Sequence, residues 1–388
     1  MPSSTLDIPV WTPPKPTQQE DLEWAQLSTL DLSLVTGDEF DQIPEELVRE
    51  ADAAFRRDGF AYAVNHGWSY EQVLRQFAIG QYGFTGVSEE DKSKYKADML
   101  GKGSFVGYKN QGHWSINGVK DRIEQLNFGS QSFAPAARSS LFPAALQPLI
   151  PEVEEFAKFN HDVILRKVLN VLSLVLKLPV HTLYDLSREP EKRGIDLLRY
   201  AMYHTPDKAD DDKLGGVRLQ GHTDFNSVSV LWSQPITSLE VLMPDNKWRL
   251  VKHADNAVVL NLGDAMHFLS GGYLKSCIHR VVAPPADQAQ YTRLGCFYFA
   301  LLNEDVPLET LDSPVIREAL DGRDLWAETR AAGKKIPTAG EWERERVRRY
   351  GQGGAKKGDD GHEHEEMFGA KVTHYNGERA GQRAAITA

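Results

Sequence analysis

Hydrophobic and polar residues alternate with two different periods along the chain. Helical spacing dominates the first half: IPEELVREADAAFRRDG places apolar residues on one helix face and ends at Gly59, and apolar residues recur every three or four positions from Pro151 to Lys177. Short alternating stretches such as LSTLDLSLV predict strands between these helices. We therefore predict a mixed module in which a long amphipathic helix packs against a sheet.

The spacing changes to that of strands at Asp196 and stays so to Leu302. Turn signals such as PDNK and SGG separate short apolar or alternating stretches, which are DLLRYAMYH, SVSVLW, LEVLM, KWRLV, NAVVLN, IHRVV and TRLGCFYFALL. Many short strands without helices between them indicate antiparallel sheets.

The sequence after Leu302 is helical and charged, with EWERERVRRY as one of its clearest parts. Residues 351–366, GQGGAKKGDDGHEHEE, contain so few apolar residues that we expect a solvated, partly mobile tail rather than a metal site at HEHE. MFGAKVTHYNGERA regains apolar residues, and we expect it either to dock back or to contact a second subunit.

These changes of pattern divide the chain into four segments. They are an N-terminal arm rich in Pro, Thr and Gln (1–27), an N-terminal module of helices and strands (28–190), a strand-rich core (191–302) and a C-terminal segment with the tail (303–388). A chain of 388 residues is long enough to bury a large core in this way.

Composition restricts the partners and the location. A formal net charge of −11 disfavours nucleic acid and anionic membranes, because both require a basic surface. The two cysteines, Cys277 and Cys296, have no metal or redox spacing, which indicates a reducing compartment, and Cys296 is expected to pack in a core strand. No stretch resembles a signal peptide or a membrane span, so we expect a cytoplasmic protein.

Candidate chemistry lies in the strand-rich core. LQGHTDF contains His222 and Asp224, which the alternation of a strand turns to the same side, and SCIHRVV contains His279, far enough away to belong to a second strand. Two imidazoles and one carboxylate form the facial set of non-haem Fe(II) oxygenases, with positions left open for other ligands. A lone His-x-Asp is weak evidence for a metal site in a chain with 12 histidines. The evidence becomes strong because the motifs NLGD and HRV and an alternating strand that begins at Arg293 are also present. We assign structural roles to His204, His253 and His267.

The stretch VVLNLGDAMHFLSGGYLKSCIHRVVAPP resembles the core of the isopenicillin N synthase-like branch of Fe(II)/2-oxoglutarate-dependent oxygenases. STLDLS, RRDGFAYAVNHG and FTGVSEEDKSKY are similar to the leading module of that family, so the resemblance covers residues 28 to 302. It implies a mixed α and β fold with a double-stranded β-helix (jelly-roll) core and flanking helices. It also implies Fe(II) on His222, Asp224 and His279, with 2-oxoglutarate as cosubstrate and O2 as oxidant.

Arg293 is the expected anchor for the distal carboxylate of 2-oxoglutarate, because a buried carboxylate needs a cation and a guanidinium can pair bidentately. Two positions depart from the family. The family has Arg-x-Ser where this chain has Arg293-Leu294-Gly295, so the cosubstrate site lacks a hydroxyl at Gly295. The family also has Asn-Tyr-Tyr on the earlier strand, and of these three residues only the last, Tyr203, is present here. We expect Tyr203 to supply the missing donor.

Substrate contacts are expected mainly from apolar side chains. Strand alternation places several of them on the same strand face as Arg293. The stretch GKGSFVGYKNQG lacks the ending of a phosphate-binding loop. We expect this stretch either to bring aromatic side chains to the pocket or to pack on its own aromatic residues. The candidate residues are Phe299, Leu301, Phe225, Phe297, Tyr108, Trp114 and Arg199. Arg199 could contact cosubstrate or substrate, or form a cross-strand ion pair.

The function expected from these residues is an Fe(II)/2-oxoglutarate-dependent oxygenase that hydroxylates, desaturates or cyclises a small organic molecule, in specialised metabolite biosynthesis, with release of succinate and CO2. Two alternatives stay open. One is an oxidase without 2-oxoglutarate, like isopenicillin N synthase, and the other is a non-catalytic ligand-binding module on the same fold. Arg293 and Tyr203 favour the first function.

Overall fold

The structure, a computed structural model, describes residues 6–116, 118–187, 196–350, 356–358 and 363–374. The N-terminal module contains these elements: β1 (Thr29–Asp31), α1 (Glu45–Arg57), β2 (Phe60–Val64), α2 (Tyr70–Thr85), α3 (Glu89–Lys94), β3 (Gly107–Lys109), β4 (Ser115–Ile116), β5 (Val119–Lys120), β6 (Ile123–Gly129), α4 (Pro135–Leu141), α5 (Ile150–Phe159), α6 (Arg166–Val175) and α7 (Thr182–Asp185).

The rest of the chain is richer in strands. Its elements are β7 (Leu197–Tyr203), α8 (Lys208–Leu214), β8 (Val217–His222), β9 (Val228–Trp232), β10 (Leu239–Leu242), β11 (Trp248–Leu250), β12 (Val258–Leu262), α9 (Asp264–Leu269), β13 (His279–Val282), β14 (Arg293–Ala300), α10 (Pro314–Leu320), α11 (Ala327–Ala331), α12 (Ala339–Arg349), β15 (Lys356–Lys357), β16 (Glu363–Met367) and β17 (Ala370–His374). Among the described residues, no helix combines the length and apolar composition needed to cross a membrane.

Two sheets form the core. The larger has the strand order β1-β2-β12-β9-β14-β7-β6-β3, and the smaller has the order β11-β10-β13-β8. Apolar residues of both sheets share one buried cluster, for example Leu231 of β9 with Leu239 and Val241 of β10, so the sheets face each other. This arrangement of antiparallel sheets with covering helices confirms the mixed α and β class and the jelly-roll core.

Strands of the N-terminal module complete the larger sheet at both edges. β2 pairs antiparallel with β12, and β6 pairs antiparallel with β7 over seven residues. The first module and the strand-rich core therefore share one sheet, while their boundaries stay a prediction from the sequence.

Helices cover the outer face of the larger sheet. Every second side chain of β14, beginning with Leu294 and including Cys296, packs with residues of α1, α2, α5 and α6 in the main core. The remaining side chains of β14, beginning with Arg293, face the space between the sheets. This alternation confirms the prediction that alternate residues from Arg293 share one strand face, and the burial of Cys296 confirms that it packs in a core strand.

The predicted long helix is confirmed, but it is interrupted by a π-helical turn. α5 continues through that turn (Asn160–Leu165) into α6. Asn160, which is fully buried, accepts a hydrogen bond from Trp232 Nε1 at 3.0 Å and donates one to the Phe156 carbonyl at 2.8 Å. The turn therefore joins the helix to β9 through a side-chain amide.

The C-terminal tail differs from the prediction that residues 351–366 are solvated and partly mobile. Residues 351–355 and 359–362 lie outside the described residues, but Glu363–Met367 is a strand paired with Ala370–His374, so the last four residues of the segment expected to be solvated have regular structure. Met367, Ala370 and Val372 belong to the main core, and Glu365 pairs with Arg349 at 3.4 Å. Apolar residues explain the docking, so the described part of MFGAKVTHYNGERA, residues 367–374, packs back onto the protein.

Replacing Asn160 by alanine should destabilise the protein, because it leaves the Trp232 indole N–H and the Phe156 carbonyl without partners. The expected loss is about 1–3 kcal/mol in the free energy of unfolding, measured by urea denaturation. Lys158→Ala, on the exposed side of the same helix, serves as control and should change it by less than about 0.5 kcal/mol. Equal effects of the two substitutions would contradict the role given to Asn160.

Candidate active site

Two strands of the smaller sheet bring the predicted metal-binding residues together. His222 ends β8, His279 begins β13, and the two are direct partners in the antiparallel register. Asp224 follows two residues after His222, and its Oδ1 lies 3.7 Å from His222 Nε2 and 3.8 Å from His279 Nε2. One donor atom from each of the three residues lies within 4.8 Å of the others, so the three can hold one metal ion.

Hydrogen bonds leave the donor atoms of these residues free for a metal. His222 Nδ1 lies 2.8 Å from the Gln220 carbonyl and His279 Nδ1 lies 3.2 Å from the Cys277 carbonyl. Because a carbonyl only accepts, each Nδ1 carries a proton, and in the neutral imidazole Nε2 then keeps the lone pair that a metal needs.

The carboxylate of Asp224 is held in a similar way. Its Oδ2 accepts hydrogen bonds from Ser229 Oγ at 2.5 Å and from Asn261 Nδ2 at 2.7 Å, which leaves Oδ1 for a metal. Asn261 belongs to the NLGD motif, and the Asp264 backbone N–H donates to the Asp224 carbonyl at 2.7 Å. A side chain at Gly263 would lie 2.8 Å from that carbonyl, so the motif allows two backbones to approach closely.

Burial and mutual charge set the protonation states. Burial, aided by neighbouring His279, lowers the pKa of His222 to about 3. Burial alone would raise the pKa of Asp224, but the two histidines and the hydrogen bonds from Ser229 and Asn261 lower it. Near neutral pH the site therefore presents a neutral His222 imidazole and an ionised carboxylate, as metal binding requires.

A pocket of about 930 Å³, including its open mouth, lies between the two sheets and contains these three residues. Its lining is mainly apolar, with side chains from both sheets and from the C-terminal segment. The sequence candidates that the structure places in it are His222, Asp224, His279, Arg293, Tyr203, Phe225, Phe297, Phe299, Trp114 and Arg199.

Arg293 enters the pocket from β14 with much of its guanidinium unpartnered. It is 5% exposed, and its Nε and Nη1 have no hydrogen-bond partner among the described residues. Tyr203 is its direct partner on β7, and the guanidinium lies 4.9 Å from the centre of that ring. Burial lowers the pKa of Arg293 from its high ordinary value. A buried cation that no acid of the described residues neutralises therefore shares the pocket with the predicted metal-binding residues.

Tyr108 and Leu301 were predicted to contact substrate, but neither residue lines the pocket. Tyr108 on β3 turns towards α2, where its hydroxyl donates to the Gly83 carbonyl at 2.9 Å. Leu301 follows the last residue of β14, so strand alternation no longer determines its direction. It is buried, and its backbone N–H donates to Asp196 Oδ1 at 2.6 Å.

Trp114 lies in the pocket and also packs against its own loop. Its backbone N–H donates to Asp121 Oδ2 at 2.6 Å, and Lys109 Nζ lies 4.2 Å from the centre of its ring. Lys109 in turn forms a buried ion pair with Asp121. Trp114 therefore fits both alternatives considered from the sequence, because it lines the pocket and also packs within its own loop.

Two pocket residues from the C-terminal segment were missed. Arg346 on α12 donates from Nη2 to the Thr223 carbonyl at 2.9 Å, between two of the metal-binding residues. The Tyr350 ring lies 5.8 Å from the His222 ring and 5.0 Å from the Trp114 ring. The available signal was the spacing of Trp342, Arg346 and Tyr350 at intervals of four, which places them on one helix face.

Gly295 lies beside an aromatic ring, and its contact with cosubstrate stays a prediction from the sequence. A Cβ at this position would lie 2.6 Å from Phe297 Cζ and 3.5 Å from Arg293 Nη1. The missing serine of the family pattern is therefore linked to the presence of Phe297 two residues later.

Gly295→Ala should lower the free energy of unfolding by about 1–3 kcal/mol, because the added methyl group forces the Phe297 ring out of its place. The double variant Gly295→Ala/Phe297→Leu should recover most of this loss, since leucine lacks the colliding ring. Urea denaturation of the single and double variants measures the coupling. Additive effects would show that the two residues do not compete for space.

Comparison with known proteins assigns the chain to a class. Residues 196–300 match the 2OG-Fe(II) oxygenase superfamily, and residues 27–146 match the family described as non-haem dioxygenase in morphine synthesis N-terminal. Leucoanthocyanidin dioxygenase from Malus domestica is 27% identical over 267 residues, which cover 68% of this chain and 71% of that protein. The 2-oxoglutarate-dependent dioxygenase FG08081 from Gibberella zeae is 26% identical over 295 residues, which cover 75% and 85% of the two chains.

A solved structure has the same fold. A full-length Neurospora crassa protein crystallised in complex with alpha-KG superimposes with a TM-score of 0.67 at 20% identity, covering 87% of this chain and 99% of that one. With both family matches, which together span more than half of the chain, the protein belongs to the 2OG-Fe(II) oxygenase superfamily. It is a non-haem dioxygenase that uses Fe(II), 2-oxoglutarate and O2, which confirms the enzyme class and the cofactors expected from the sequence. The type of reaction and the role in specialised metabolism stay predictions.

Proposed function

We propose that His222, Asp224 and His279 hold the Fe(II), that Arg293 and Tyr203 bind the distal carboxylate of 2-oxoglutarate, and that the apolar remainder of the pocket takes a small organic substrate. One observation carries this proposal. Three atoms that can bind a metal, one each from His222, Asp224 and His279, lie in the same pocket as the Arg293 guanidinium, which no acid of the described residues neutralises.

The donor set fits Fe(II), because two imidazoles and one carboxylate on one side of an ion are the ligands of non-haem iron oxygenases. Arg293 fits a carboxylate for a separate reason. An ionised acid at this point would neutralise a buried charge and fill the empty hydrogen-bonding positions of its guanidinium. Tyr203 lies beside it and offers a hydroxyl to the same group.

When bound, Fe(II), 2-oxoglutarate and O2 together supply the oxidation of a substrate C–H bond, with succinate and CO2 as coproducts. The chain itself binds, orients and excludes water. Ser229 and Asn261 hold the Asp224 carboxylate in one orientation, and Arg346 holds the backbone between His222 and Asp224. Aromatic side chains around the pocket limit the access of water to the reacting atoms.

The substrate proposed is small and largely apolar. Phe297 and Phe299 stack with ring centres 5.8 Å apart on the same wall of the pocket, and Phe225 lies there too. Hydroxylation, desaturation and ring closure all begin at such a C–H bond. The similarity to leucoanthocyanidin dioxygenase supports a role in specialised metabolism, and the two free cysteines support a reducing, cytoplasmic location.

Replacing His222, Asp224 or His279 by alanine should remove iron and activity while the fold persists, since each change deletes one of three ligands. Iron content after anaerobic reconstitution, measured by mass spectrometry together with circular dichroism, tests this expectation. His204→Ala is the matched control and should keep its iron, because His204 pairs with Glu124 at 2.9 Å outside the pocket. Stoichiometric iron and turnover in any of the three variants would contradict the assignment.

Arg293→Ala should weaken 2-oxoglutarate binding by roughly ten- to over a hundredfold, because a hydrogen bond to a charged group contributes about 1.5–3 kcal/mol. Tyr203→Phe should weaken it by about tenfold, since it deletes one hydroxyl donor and keeps the ring under the guanidinium. Titration of anaerobic Fe(II) enzyme, following the metal-to-ligand charge-transfer band, measures both. A wild type that shows no band but consumes O2 with substrate alone would replace this proposal with the cosubstrate-free oxidase.

A further inference from the structure

Arg199 is a second arginine in the pocket that has no acidic partner. It lies on β7, and its direct neighbours across the sheet are Asn127 on β6 and Phe297 on β14, both of them uncharged. Its Nε donates to Asn127 Oδ1 at 2.6 Å. The described residues provide no carboxylate within ion-pairing distance and no hydrogen bond to its two terminal nitrogens, so the cross-strand ion pair considered from the sequence is wrong.

Aromatic rings replace the missing counter-ion in part. The Arg199 guanidinium carbon lies 4.6 Å from the centre of the Phe105 ring and 4.8 Å from that of the Phe299 ring. Burial lowers the pKa of Arg199 to about 10, which still leaves it charged at neutral pH. Asp224 is the acidic residue of the pocket, and it belongs to the metal-binding set. A charged group held among phenylalanines in this way needs an anion, and the described residues do not supply one.

The site at Arg199 is separate from the one at Arg293. On the paired strands Arg293 faces Tyr203, whereas Arg199 faces Phe297, four residues further along. Four residues correspond to roughly 13 Å along an antiparallel strand, so the two arginines start from different levels of the pocket wall. If Arg293 takes the cosubstrate, Arg199 is left for the substrate.

We infer that Arg199 binds a carboxylate of the substrate, and that the substrate is a small aromatic acid whose ring packs among Phe105, Phe297 and Phe299. This inference rests on the proposed function, because it takes Arg293 as the cosubstrate anchor. The two unbonded terminal nitrogens suit the two oxygens of a carboxylate, and the neighbouring rings suit a planar apolar body.

The experiment compares aromatic acids with their carboxamides, which have the same shape and no charge. Phenylacetate, trans-cinnamate and 1-naphthoate, each with its primary amide, are added to anaerobic Fe(II) enzyme that already holds 2-oxoglutarate. Perturbation of the charge-transfer band reports binding, and succinate formation in air reports coupling. At least one acid should bind at least tenfold more tightly than its amide.

Three variants separate the contribution of Arg199 from that of the fold. Arg199→Met should remove the preference for the acid and leave the Kd of 2-oxoglutarate within threefold, and Arg199→Lys should keep part of the preference. Arg199→Met should also keep or raise Tm, because an arginine present for a ligand leaves an unpaired charge in the free enzyme. Arg122→Met, which removes an arginine that is 42% exposed and paired with Asp210, should change none of these values.

The outcomes distinguish failure of this inference from failure of the proposed function. No charge-transfer band in wild type would remove the proposed function itself. A normal band with no response to any acid, with equal binding of acid and amide, or with an unchanged preference in Arg199→Met would overturn the role of Arg199 alone. A fall in Tm on Arg199→Met without loss of the preference would assign the arginine to the fold.

Discussion

The antiparallel register of β8 and β13 is the constraint on which the site depends. It places His222 opposite His279 at the ends of two paired strands, and the chain then turns so that Asp224 meets both. A shift by one residue would turn one imidazole to the other face of the sheet. Ladder hydrogen bonds between the strands therefore bring the two imidazoles together, and the hydrogen bond of each Nδ1 to a backbone carbonyl then orients its ring.

Polar residues in the pocket fall into two groups that differ in how their hydrogen bonds are satisfied. The carboxylate of Asp224 and the two imidazoles are fixed by protein partners on one side and free on the other. Arg293 and Arg199 instead rest on aromatic rings, with terminal nitrogens that no acid of the described chain neutralises. Unpaired buried charge destabilises a folded protein, so its presence in a pocket indicates binding of an anion.

Much of this site could be predicted because it depends on local rules. A period of two along β14 is enough to place Arg293, Phe297 and Phe299 on one wall. The same rule failed for Leu301, since the strand ends one residue earlier, and a strand end is not visible in the alternation. Tyr108 could not be placed because β3 is three residues long and its pairing, not its own pattern, decides which face it presents. Arg346 and Tyr350 share one helix face by their spacing, but the sequence does not specify that this face packs over the pocket, because that depends on tertiary contacts of α12.

The sharing of one sheet by the two halves of the chain has a consequence for how the enzyme could be divided. β12 and β7 would each become a bare edge if the residues before Asp196 were removed, since β2 and β6 now satisfy their backbone groups. Bare edges of long apolar strands template aggregation. We therefore expect the strand-rich core, without its leading module, to aggregate rather than fold as an exchangeable unit, because that module covers both of its open edges.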